Sequence, residues 1–192
     1  MYKELLSAMA IALTFTAFFP YIRSIRQGVT RPHVFSWLIW AITTFVVFLA
    51  QLADEGGAGA WPIGVSGLIT LYVAALAFIR RVDNSITTAD RVFFGAALSA
   101  LPLWYITADP LWAVVILTTV DLFGFAPTFR KAWFYPAEEQ LTFFVLMATR
   151  NLVAMLALEH YSMTTMLFPA ATGAGCVLLI LMVGYRRRVL LV

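Results

Sequence analysis

A repeat at a fixed offset constrains this chain more than any other feature. Phe19 to Trp40 reads FPYIRSIRQGVTRPHVFSW and then LIW: an apolar run closing on Pro20, a basic loop, Pro32, and a new apolar run. Phe125 to Phe144, FAPTFRKAWFYPAEEQLTFF, has the same order, with Pro127, the basic pair Arg130 and Lys131, Pro136 and then another apolar run. Laying Pro20 on Pro127 brings Arg23 onto Arg130 at an offset of 107, and the same offset brings Trp61 and Pro62 onto Phe168 and Pro169. Two related halves run in the same direction along the chain, so the fold must accommodate a parallel repeat.

Hydrophobic residues are 62% of the chain and charged residues 12%, against about 45–50% and about 25% in soluble domains. The chain reads as an integral membrane protein. A crossing helix needs about 20 mostly apolar residues, and seven runs answer to that description. They are Leu5 to Ile22, His33 to Leu52, Trp61 to Ile79, Val92 to Thr107, Leu111 to Phe129, Leu141 to Leu158 and Thr164 to Tyr185. Leu5 to Ala17 follows Lys3 as a signal peptide would, but it is the counterpart of Leu111 to Phe125, so it is expected to stay as the first helix.

Lys and Arg are retained on the cytoplasmic side of short loops. Eleven of the thirteen fall in alternate loops: Arg23, Arg26 and Arg31; Arg80, Arg81 and Arg91; Arg130 and Lys131; Arg186, Arg187 and Arg188. The opposite side has Lys3 among Glu4, Asp54, Glu55, Asp109 and Glu159. The expected topology has the N-terminus outside and the C-terminus in the cytoplasm, in a bacterial cytoplasmic membrane. Three helices per repeat is an odd number, so same-way copies need one crossing between them, and the fourth run supplies it. The expected fold class is an all-α integral membrane protein of seven transmembrane helices arranged 3+1+3. Its parts are a first three-helix bundle over 1–80, a linker helix over 81–109 and a second bundle over 110–192.

In this plan, and in the proline that precedes a basic loop in each half, the chain resembles the PQ-loop and SWEET superfamily of seven-helix transporters. The family's Pro-Gln pair stands here as Pro20-Tyr21 and Pro127-Thr128, and Ser66 and Gly173 stand near the place of the SWEET asparagine. The resemblance implies the fold and transport by alternating access, and the departures turn the expectation away from sugars.

Two ionisable residues lie inside apolar runs, where each costs about 2.5–3.5 kcal/mol at a helix centre and so belongs beside a cavity or a partner. Asp121 is ten residues before Lys131 and Arg150 eleven after Glu139, which places both about 15 Å from the same side at 1.5 Å per residue. Their counterparts in the first half are Thr14 and, with a slip of one residue, Thr44. A neutral half facing an ionic half suits an asymmetric polar solute. The expected substrate-binding set is Asp121, Arg150, Asn151, Trp40, Thr44, Thr14 and Ser66, with Thr118 and Thr70 nearby. A buried ion pair that only sets helix register is the competing explanation for the two charges. Pro20 and Pro127 each remove a backbone hydrogen bond and are expected either to act as hinges at an inner gate or to end their helices. Gly64, Gly67, Gly173 and Gly175 are expected to permit close helix approach.

His33 and His160 fall about a membrane apart, and lone Cys176 sits in an apolar run, so no metal site, cofactor or enzyme active site is expected. The expected partners are the lipid bilayer, a small polar solute and further copies of the chain as a homo-oligomer; nucleic acid is excluded, since loop cations are explained by topology. The first reading is a small-solute transporter. The alternative is a receptor of the same fold that binds without transporting.

Overall fold

In a computed structural model of the chain, residues 1–28, 34–79, 88–134, 136 and 141–190 are described, without the side chains of Phe35, Ala89, Asp90, Pro127, Arg130, Lys131 and Leu190. Arg31, Pro32, His33, Arg80, Arg81, Glu138 and Glu139 lie outside the described residues, as does the ring of Pro127. Among the described residues there is no strand. The helices are α1 (Tyr2–Arg26), α2 (Val34–Ala53), α3 (Trp61–Ile79), α4 (Thr88–Thr107), α5 (Pro110–Phe134), α6 (Leu141–Ala157) and α7 (Met163–Leu190), with one 3-10 turn, Gly57–Ala60, leading into α3. Four spans are long and apolar enough to cross a membrane: Tyr2–Arg26, Ser36–Ala53, Gly57–Ile79 and Met163–Val189. Arg91–Thr107, Pro110–Ala126 and Leu141–Ala157 are shorter apolar helices. The chain is an all-helical, membrane-embedded protein.

Local chemistry sets several of the ends. At the end of α1, Gln27 and Gly28 donate to the carbonyls of Arg23 and Ile25. Gly28 takes φ +77, the left-handed turn in which a residue without Cβ carries no steric penalty. Asp109 caps α5, its Oδ1 accepting from the Leu111 N–H at 2.9 Å, and Pro110 fills the first helical position, where no N–H is needed. Ser162 caps α7: its hydroxyl accepts from the Thr165 N–H at 3.1 Å while Thr165 Oγ1 accepts from the Ser162 N–H at 3.0 Å. At the far end of α7, Arg186 donates to the Trp133 carbonyl at 3.0 Å with its guanidinium 4.6 Å from the indole centroid, and Arg187 donates to the Pro136 carbonyl. These two arginines satisfy carbonyls where α5 finishes.

α3 packs between α1 and α2, α7 packs between α5 and α6, and α1 against α6 and α2 against α5 complete a ring in the order α1, α3, α2, α5, α7, α6. α4 lies outside it, against α5 and α2. Close approach rests on missing Cβ atoms: one at Gly64 would stand 2.8 Å from the Phe48 ring, one at Gly67 3.3 Å from the Phe45 backbone, and one at Gly173 3.3 Å from Asn151 Cβ. Pro20, Pro102 and Pro169 sit inside continuous helices. α1 runs on past Pro20 to Arg26, so that proline does not end it.

One end of the ring is tied by polar contacts. Lys3 of α1 donates to the Leu158 carbonyl, Ser162 donates to Asp54, and Glu159 accepts from the Ala58 N–H at 3.2 Å while its own N–H donates to Gly56. His160 Nδ1 lies 3.0 Å from the Asp54 carbonyl oxygen. The α2–α3 connection and the α6–α7 connection thus meet at the end where α1 begins.

Candidate functional site in the centre of the ring

Polarity inside the ring is the reverse of that outside. Thr14, Thr43, Thr44, Gln51, Ser66, Thr70, Thr118, Arg150, Asn151 and Thr172 are buried, while Leu68, Phe78, Leu101, Phe123, Leu152 and Leu178 face outward. Outward apolar side chains suit lipid, and inward polar ones must find partners within the protein.

Arg150 is the hub, only 2% exposed. Its Nε donates to Thr14 Oγ1 of α1 at 3.2 Å, one terminal nitrogen to Asn151 Oδ1 at 2.6 Å, and the other to the Pro62 carbonyl of α3 at 2.8 Å. Asn151 passes the network on, donating to Thr172 Oγ1 of α7 at 3.2 Å. Thr14 and Thr172 in turn donate to the carbonyls of Ala10 and Phe168 one turn back, each at 2.8 Å. The guanidinium thus joins α1, α3 and α6, Asn151 extends the network to α7, and each of the three guanidinium nitrogens serves a protein oxygen.

Asp121 is half-buried in α5 and within electrostatic range of Arg150, but no direct ion pair joins them, and no hydrogen bond from the described residues reaches its carboxylate. The Thr118 hydroxyl one turn earlier, and that of Thr43 on α2, are both buried without a partner. Thr44 instead donates to the Trp40 carbonyl at 2.7 Å, and Thr70 to the Ser66 and Gly67 carbonyls at 3.1 and 2.8 Å. Those threonines are spent on their own helices.

Toward the end of the ring where α1 finishes, aromatic rings cross the interior. Trp37 packs on Trp40 (centroids 5.3 Å), Tyr21 (5.1 Å) and Phe18 (6.3 Å), and Phe18 meets Phe143 of α6 at 5.7 Å. Trp40 also lies against α5, where a Cβ on Gly124 would stand 3.0 Å from its indole nitrogen.

Of the residues expected from sequence, Arg150, Asn151 and Thr14 come together directly. Trp40 and Asp121 meet the same stretch of α5, while Thr44 and Ser66 are buried on α2 and α3. Sequence reasoning missed Gln51. It is fully buried, and its Nε2 donates to the Thr165 carbonyl at 2.6 Å. That carbonyl is four residues before Pro169, which has no N–H to offer it. A glutamine in an apolar run, level with an intrahelical proline, was the available signal. No protein-family model, curated protein or solved structure matches the chain.

Proposed function

We propose that the protein is a membrane transporter that moves a small polar solute by alternating access through the centre of the ring. The observation that carries this reading is the buried polar interior around Arg150, Asn151 and Asp121, enclosed by helices whose outer faces are apolar. In this reading the seven helices are arranged 3+1+3, and the offset of 107 relates α1 to α5, α2 to α6 and α3 to α7. The packing order supports it: the third member of each trio lies between the other two, and the α1–α6 and α2–α5 seams are equivalents under the same offset. Rocking of one trio against the other would open the two ends of those seams alternately.

The solute would meet Asp121, Trp40, Thr44 and Ser66, with Arg150, Thr14 and Asn151 as the wall behind them. Pro20 and Pro127 are the proposed hinges at the inner ends. The ties at Lys3, Asp54 and Glu159 join the two trios at the outer end, so outward opening must break them. The distribution of basic residues supports an orientation with that end outside and the C-terminus in the cytoplasm of a bacterial cell.

The test is the melting temperature of the detergent-purified protein against sugars, amino acids, nucleosides and vitamins, repeated for Asp121→Asn and Arg150→Gln, then uptake of each hit into liposomes. A solute at a hundred times its dissociation constant adds about 2.7 kcal/mol of stability. Transport requires a hit that Asp121→Asn abolishes and that liposomes accumulate. Binding without uptake would support a receptor instead.

A further inference from the structure

We infer that the solute is an organic ammonium, held by Asp121 in the seam between α5 and α2 with Trp40 against its charge. This rests on the central-site reading above and names its substrate class. The positive group of the interior is largely engaged, because three of the five N–H donors of Arg150 go to Thr14, Asn151 and Pro62. The negative group is not: nothing among the described residues donates to Asp121. An arriving anion would meet a guanidinium that already serves three protein oxygens, whereas an arriving cation finds a carboxylate with no hydrogen-bonding partner among the described residues.

The rest of the seam fits that sign. Thr43 shares a face of α2 with Ile39, Val46 and Val47, and Thr118 shares a face of α5 with Val114. These apolar neighbours pack together in one cluster, so both threonines are directed into the α2–α5 seam. Both hydroxyls are buried, at 0% and 3% exposure, and both lack a partner. Each offers lone pairs to an N–H donor. The absence of a side chain at 124 lets the Trp40 indole lie against α5, one turn along the helix from Asp121. A carboxylate, two hydroxyls and an indole are the elements that recognise an alkylammonium, with the ring quadrupole attracting the cation. A hard divalent ion asks for six or more oxygens, which these three side chains do not supply.

The experiment measures binding of choline, ethanolamine and putrescine to the full chain in nanodiscs, with sodium chloride, succinate, alanine and glucose as comparisons, followed by liposome uptake. The expected result is binding by the amines, lost in the near-isosteric Asp121→Asn and weakened about 5- to 30-fold in Trp40→Leu, the range of a desolvated cation–π contact. Thr43→Val and Thr118→Val, which keep side-chain shape, are expected to weaken it several-fold and serve if Asp121→Asn does not fold. Failure of every amine to bind, a preference for succinate or glucose, or an equal response to sodium alone overturns the inference. Glucose or alanine uptake without amine binding would overturn it while leaving transport standing. Amine binding without uptake of any solute would leave it standing and overturn transport.

Discussion

Gly59→Ala tests the joint that ties the start of α3 to the end of α6. A Cβ at this position would stand 2.5 Å from the Leu158 nitrogen, 2.6 Å from its Cα and 2.8 Å from the Ala157 carbonyl carbon. All three are backbone atoms, so no side chain can rotate aside. Reaching ordinary contact at 3.4 Å requires the two backbones to part by about 0.9 Å. Overpacking of this kind costs about 1–3 kcal/mol, and here the upper end applies. Separation also strains the Glu159 to Gly56 and Ala58 to Glu159 hydrogen bonds, each worth about 1 kcal/mol. The total is about 3–5 kcal/mol, or a fall of about 10 °C in melting temperature for a chain of this size. Gly95→Ala is the control, since a Cβ there meets nothing within 4 Å on exposed α4, and Gly to Ala within a helix gains about 0.5–1 kcal/mol. The assay is thermal unfolding of both variants in one detergent. A Gly59→Ala protein melting within about 2 °C of the parent would refute the close approach.

Gln51→Leu removes the donor to the Thr165 carbonyl and should cost about 1–3 kcal/mol for a buried acceptor left alone. Pro169→Ala restores the helical N–H, so a double-mutant cycle in thermal unfolding should show the two changes offsetting one another; simple additivity would refute the link. Asp109→Ala should cost about 1 kcal/mol by uncapping α5, with faster hydrogen exchange at Leu111 and Trp112 as the local readout. Gly124→Ala forces the Trp40 indole away from α5 by a few tenths of an ångström; solute binding should weaken while the melting temperature changes little, and unchanged binding would remove Trp40 from the site.

Helix existence was legible because seven apolar runs and a strongly lopsided charge pattern leave few alternatives. Helix ends were less so, for a definite reason. α1 continues to Arg26 and α5 to Phe134, beyond the apolar runs that ended at Ile22 and Phe129. Arg23 and Arg26 lower the hydrophobicity of the last turn while favouring the helix through its dipole, so a hydropathy boundary falls short of the backbone one. Pro20 hides the same continuation, since a proline loses one hydrogen bond without having to stop the helix when its neighbours carry the turn.

Position along each helix was legible as well, and rotation was not, which is why Asp121 and Arg150 could be compared by counting while the partners of Arg150 were not identified. Position along a helix follows from counting at 1.5 Å per residue; the direction a side chain takes depends on which helix packs beside it. Arg150 turns into the α1–α6 seam and finds Thr14. In the proposed repeat, Thr14 corresponds to Asp121 and Arg150 to Thr43, so on that reading the α2–α5 seam would carry a carboxylate where the first has a threonine and a threonine where the first has a guanidinium. Arg150 is locked by hydrogen bonds to α3, α6 and α1, and Asp121 accepts none from the described residues. On the proposed reading, Asp121 is the charge left to engage a solute.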